Sequence, residues 1–297
     1  MLAAEQHTDF FRWVPHPEVW VLVASIIGLY VWAGKVIGPK AVPEGTPPYT
    51  RRQVRCFVAG ILLLWIASDW PVHDIGEKYL YLVHMCQHLT LTLVVPPLML
   101  IATPEWLARL VLGTGRVERI VRKMARPVPA CALFNALVLA SHAPAVVDHA
   151  STGALFHYGV HTSLVTAALL FWIPVCGPFP ELRISMPGQM IYLFVASIVP
   201  TVPGAWLTFA NGAIYKVYDI PQRLGGISVT SDQQVAGLIM KLVGGSYLWV
   251  LITIIFFTWA SRHEDADGRG ESPTEREVLT WDKVQREFER TSAPVEP

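Results

Sequence analysis

The chain has 297 residues, 53% of them hydrophobic and 15% charged, with a formal net charge of zero. Soluble domains carry roughly 25% charged residues; here the charges gather in a few loops and the C-terminal tail, which argues against a soluble globular fold and for an all-α, polytopic membrane bundle. Zero net charge gives no electrostatic footprint for a nucleic-acid partner, and the four cysteines (Cys56, Cys86, Cys131, Cys176) lack the CxxC spacing of a zinc site and suggest no disulfide framework.

Residues 1–17 read as an outer segment, 18–260 as the membrane domain and 261–297 as a charged tail. The acidic, aromatic leader of the first apolar run is not the basic n-region of a cleavable signal. A span needs about 20 apolar residues to cross roughly 30 Å of hydrocarbon. Seven stretches qualify, near 18–38, 53–70, 79–101, 128–147, 154–176, 188–209 and 234–260. Arg55 in the short second stretch is expected to snorkel. The sixth contains "VPTVP" (Val199 to Pro203), which predicts a kink or a broken helix.

Lysines and arginines set the orientation. Eighteen fall in loop 1, loop 3, loop 5 and the tail, against four (Arg12, Lys78, Lys216, Arg223) on the opposite side, with Lys241 inside a span. The N-terminus therefore faces outward and the C-terminus faces the cytoplasm. Loop 3, "EWLARLVLGTGRVERIVRKMAR" (Glu105 to Arg126), mixes apolar and basic residues at helical spacing, as a helix lying on anionic lipid does. In the tail, Ser272-Pro273-Thr274-Glu275 is a capping box with proline at the first helical position, followed by Trp281, Val284 and Phe288 as a narrow apolar stripe. A solvated helix explains that stripe better than a docking helix does. Residues 262–270 read as a polar linker.

This topology gathers the histidines. His84 and His88 lie one and two turns below the outer surface at the start of the third span. His142 falls near the outer end of the fourth, His157 and His161 in the first turns of the fifth, and His73 and His149 in outer loops. One histidine near a helix end is ordinarily a hydrogen-bonded interfacial residue. Two i, i+4 pairs and a fifth ring at the same depth are a different pattern: each pair puts both rings on one face about 6 Å apart, and polar groups within a bilayer face an interior or a cavity. Two such pairs can close around a metal. Imidazole suits copper, zinc, iron and nickel, and the thioethers of Met85 and Met240 favour copper(I).

The neighbours have plainer readings as well. Met85 is 100° around the helix from His84 and suits packing; Cys86 points nearly opposite, away from the pair. Gln87 can orient a partner or bond a neighbouring helix. Asp148 and His149 are either a route for metal or solvent-facing residues. Asp232 suits a helix N-terminal cap. Gln233, Gly237, Met240 and Gly244 share a face whose glycines allow close helix approach. Lys241 either snorkels or pairs with Asp69 or Asp232.

"HMCQHLTLTLVVPPLMLIATP" (His84 to Pro104) resembles the HMxQH…PP…P signature of the CtaG-like family, assembly factors for caa-type cytochrome c oxidases of bacteria. "HAPAVVDHA" (His142 to Ala150), "LFHYGVH" (Leu155 to His161), "FWIPVCGP" (Phe171 to Pro178), "IYKVYD" (Ile214 to Asp219) and "DQQVAGLIM" (Asp232 to Met240) continue the resemblance in order, over roughly residues 18 to 260. It implies a non-enzymatic, seven-span protein of the bacterial plasma membrane whose partners are oxidase subunits and the lipid bilayer, and which binds copper and delivers it to the oxidase. The family's motif positions fall on His84, Met85, Gln87, His88, His142, Pro144, His157, His161, Asp232, Gln233 and Met240. Of these, His84, His88, His142, His157, His161, Met85, Asp232 and Met240 form the expected metal set. Two positions depart from the pattern: Val160 precedes His161 where the family has glutamate, and Lys241 stands where it tends to have tryptophan. The alternative is a haem-binding membrane redox protein with axial histidines, although paired histidines a turn apart suit that less well.

Overall fold

The computed structural model describes residues 12–220, 224–268 and 285. The tail motifs from Ser272 to Phe288, and Arg223, lie outside the described residues. Among the described residues there is no strand, and the chain folds as a helical membrane bundle. In chain order the helices are α1 (Pro17–Ala41), α2 (Arg51–Ser68), α3 (Val72–Lys78), α4 (Tyr81–Ala102), α5 (Glu105–Leu112), α6 (Arg116–Met124), α7 (Pro127–Ser141), α8 (Pro144–Thr152), α9 (Ala154–Cys176), α10 (Met186–Thr208) and α11 (Val229–His263). Five of them, α1, α4, α9, α10 and α11, are each long and apolar enough to cross a membrane. The bent pairs α2–α3 (41°) and α6–α7 (80°) bring the number to seven when each pair is counted as one span. Every expected span thus has a helix.

Proline chemistry shapes several of them. Pro96 and Pro97 in α4 lack the N–H that would bond the preceding turn, and a π-helical turn occupies Thr90–Val94 just ahead of them. The carbonyl of Thr92, which Pro96 leaves without its helical donor, accepts instead from the indole Nε1 of the buried Trp172 on α9, at 3.0 Å. A packing contact therefore restores the bond that the sequence removes. In α10 the run through Pro200 and Pro203 divides the helix between Ala196 and Thr201, as "VPTVP" predicts. α2 starts on a reciprocal cap: Thr50 Oγ1 accepts from the Gln53 N–H at 3.2 Å, and Gln53 Oε1 accepts from the Thr50 N–H at 2.8 Å.

Four boundaries differ from the sequence reading. The fourth span ends at Ser141 rather than near 147, because Pro144 opens a new helix, α8, which replaces the expected short loop. The outer loop before the third span contains α3. Loop 3 is two helices, broken where Gly113 and Gly115 take positive φ of 63° and 127°. α6 then turns 80° from α7, the geometry of a helix lying along the membrane surface. Residues 262–268, read as linker, continue the last helix.

The main core sits among α7, α9, α10 and α11, around Phe134, Phe171, Trp172, Leu193 and Leu248. A second cluster, at the end of the bundle where α4 begins, joins Tyr81, Met85, Leu207, Tyr215, Tyr218 and Met240. Large side chains such as Val21, Leu22, Leu29, Phe194, Trp249 and Phe257 remain exposed on the outside of the bundle, where a lipid-facing surface has no reason to hide them.

Candidate metal centre

The position of α4 is fixed at its first turn. The carboxylate of Asp232, fully buried in the first turn of α11, accepts from the main-chain N–H groups of Tyr81 and Leu82, each at 2.9 Å. Those are helix-start donors that have no intrahelical partner, and a negative group belongs at that end of the helix dipole. Asp232 thus caps α4 across the bundle, not its own helix.

Its neighbour Gln233 does similar work for the segment before α11. Gln233 Oε1 accepts from the N–H groups of Ile214 and Tyr215, at 2.8 and 3.1 Å, and its Nε2 donates to the Tyr215 carbonyl at 2.9 Å. Tyr215 then donates its hydroxyl to the His142 carbonyl, and Tyr218 donates to the Gly76 carbonyl. The "IYKVYD" and "DQ" motifs therefore form one brace over this end of the bundle. α3 seats closely on α4 at Gly76, where an added Cβ would lie 3.0 Å from the His84 nitrogen.

This framework brings His84, His88 and His161 together. One ring nitrogen from each lies within 4.8 Å of the others. Ring centroids are 4.4 Å apart for His84 and His88, 4.6 Å for His88 and His161, and 5.7 Å for His84 and His161. Nδ1 of His84 and Nε2 of His88 are buried without a hydrogen-bond partner. Buried polar atoms without partners are rare and costly, so this cluster is shaped for something with which its nitrogens can bond.

The remaining sequence-derived candidates surround this triad in different ways. His157 lies next to His161 on α9, with ring centroids 4.3 Å apart and the planes tilted by 33°. His142 lies outside the triad. Its Nδ1 is 2.7 Å from the Val138 carbonyl, which leaves Nε2 as the lone-pair nitrogen, and Nε2 is a third buried atom without a partner. A cavity of about 60 Å³ is lined by His88, His142, Met85 and Met240. Both thioethers thus border the space behind the triad while also packing in the tyrosine cluster. Asp232 is not brought to the triad, since its oxygens serve α4. Lys241 donates to Thr201 Oγ1 at 2.7 Å, at the break in α10, rather than to Asp69 or Asp232. Asp69 accepts from the indoles of Trp20 and Trp65. Cys86 and His149 are exposed, as is Asp148.

Glu77 was not among the expected residues. It lies on α3 four residues after His73, with Oε2 3.1 Å from His73 Nε2 and Oε1 3.5 Å from His157 Nδ1. The signal for it was in the sequence: His73 and Glu77 repeat the i, i+4 spacing of the two histidine pairs. It also shares a cavity wall with His84, His88, His157 and His161. A carboxylate thus reaches this neighbourhood from α3.

No curated protein and no solved structure matches the chain. The family model for the cytochrome c oxidase caa3 assembly factor does match, across residues 28–262. That range contains the histidine cluster, the brace of Asp232 and Gln233 and all but the two ends of the helical bundle, and by this match the chain belongs to the cytochrome c oxidase caa3 assembly factor family.

Proposed function

We propose that this protein binds copper(I) at His84, His88 and His161, at the outer face of the bacterial plasma membrane, and passes it to the cytochrome c oxidase it helps to assemble. The observation that carries the reading is the pairing of a three-nitrogen cluster with buried, partnerless imidazole nitrogens. Three neutral imidazoles with thioethers close by suit copper(I). Rings 4.4 to 5.7 Å apart can share a single ion, which favours a metal site over haem. His157 stands beside the triad, while His142, Met85 and Met240 border the cavity behind His88. The role is that of a holding site, with no reaction catalysed.

The decisive experiment is metal analysis of purified protein loaded with copper(I). Wild type is expected to bind close to one equivalent, and the double variant His84→Ala/His88→Ala to bind none. Undiminished copper in the double variant would remove the assignment. Oxidase activity in a deletion strain separates delivery from scaffolding: excess copper in the medium restores activity only if delivery is the missing step.

A further inference from the structure

We propose that His73, Glu77 and His157 form a second metal site, separate from the triad, which takes a divalent cation of the zinc or cobalt(II) class. One ligand atom from each residue lies within 4.8 Å of the other two, and the group shares no residue with the triad. The ligands come from α3 and α9, two elements distant in sequence. Each imidazole already faces a different oxygen of the same carboxylate. A cation entering there takes the place of these two contacts, at 3.1 and 3.5 Å, with three coordinate bonds and needs little rearrangement.

The donor set selects the class of metal. Two imidazoles and a carboxylate, with a fourth position left for water, match the ligand number of open zinc sites. A nitrogen and oxygen set without sulfur favours a borderline divalent ion over copper(I). The carboxylate also supplies negative charge, which the triad lacks.

The surroundings support coordination. Gln87 Nε2 lies 3.1 Å from His73 Nδ1, which leaves Nε2 toward Glu77. Gln87 Oε1 is buried without a partner. An amide offers either a donor or an acceptor, so Gln87 can serve the His73 tautomer that a metal on Nε2 requires, in which Nδ1 carries the proton. Such an outer partner is what orients a metal-binding histidine. Lys78, next to Glu77 in sequence, is paired with Asp74 at 2.6 Å, and His16 also bonds Asp74, at 2.8 Å. Both of these side chains are engaged by Asp74 and not by Glu77.

A cation held there ties α3 to α9. Because Glu77 lines the same cavity as His84, His88 and His161, the filled site fixes the cover of the triad. Only this covering role rests on the copper reading; the divalent site stands on its own ligands.

Cobalt(II) is the probe, because its ligand-field absorption reports a protein site directly. Full-length wild type in detergent is expected to bind one cobalt(II) with a visible band. Glu77→Gln and His73→Ala should each lose the band yet keep wild-type copper(I) stoichiometry, which also shows that they fold. His84→Ala/His88→Ala should keep the band. The proposal is overturned if wild type gives no band, if the band survives in Glu77→Gln, or if the triad variant loses it. Loss of both metals from both outer variants would merge the groups into one centre and overturn it too. If no form binds copper(I) while the cobalt pattern holds, the copper reading fails and the divalent site stands.

Discussion

The carboxylate of Asp232 accepts a hydrogen bond from the Tyr81 main-chain N–H at 2.9 Å, although 151 residues separate the two. The last membrane helix therefore sets where the histidine-bearing helix begins. Removing the carboxylate leaves two N–H groups without this partner, that of Tyr81 buried and that of Leu82 partly so, a loss of about 1–3 kcal/mol for a buried group. Asp232→Ala should lower the thermal unfolding midpoint and weaken copper(I) binding together, because His84 is three residues from Tyr81. Asp232→Asn keeps one acceptor oxygen. It should lose stability but retain copper stoichiometry, and copper lost from a folded Asp232→Asn protein would show that this carboxylate ligates.

Where α10 and α11 cross, Gly237 touches backbone. A Cβ placed there would lie 2.5 Å from the Gly204 carbonyl oxygen and 2.6 Å from Thr208 Oγ1. A rigid carbonyl cannot yield as a flexible side chain can, so Gly237→Ala must push the helices apart. Overpacking of this kind costs about 1–3 kcal/mol. Gly245, with no atom within 4 Å of its added Cβ, is the control: Gly245→Ala should leave thermal stability unchanged or slightly raised in the same detergent.

Much of this was legible in the sequence, and the reasons for success and failure are physical. Long apolar stretches declare themselves because lipid allows no other spanning structure with satisfied backbone groups, so every expected span has its helix. Histidine spacing of four placed His84 with His88 and His157 with His161 on shared faces before any fold was known. What pattern reading cannot see is contact between distant segments. Asp232 suited a cap, but nothing local says that it caps α4. Glu77 sat in a stretch read as loop. Its pairing with His157 joins α3 to α9 across 80 residues of sequence, a contact no local pattern reveals. The break at His142 was foreshadowed by Pro144, whose position at the start of a helix ends the span early.

Met85 packs in the tyrosine cluster and is only 2% exposed, yet it also borders the cavity behind His88. A leucine of similar volume keeps the packing and removes the sulfur, a change that costs less than about 1.5 kcal/mol in a core. Met85→Leu is expected to bind copper(I) at wild-type stoichiometry, with the three imidazoles sufficing. A clear drop in affinity in a competition titration against a chromophoric chelator would instead bring the thioether into the site.

At the end of the bundle away from the histidines, Glu181 joins the two halves of loop 3. Its carboxylate is 2.7 Å from Arg122 on α6 and 3.2 Å from Arg109 on α5, and both guanidinium groups lie over the buried Phe179 ring. The hydrogen bond from Arg122 holds the Glu181 carboxyl below its ordinary range. A depressed carboxyl contributes its stabilisation above its unfolded value, about 4.5, and loses it as pH falls through the lower folded value. The pairs are at the surface, so the effect is small and screened by salt. It should nonetheless appear at the glycine break between α5 and α6. Limited proteolysis by an acid-tolerant protease should find the Gly113–Gly115 segment protected at neutral pH and progressively cut below about 4.5. Glu181→Gln should be cut already at neutral pH and respond less to acid, with the residual response coming from Glu118, whose carboxyl is also held low by its hydrogen bond from Arg122. Equal protection of wild type and Glu181→Gln at pH 7 would show that the break is held by the Phe179 contacts alone.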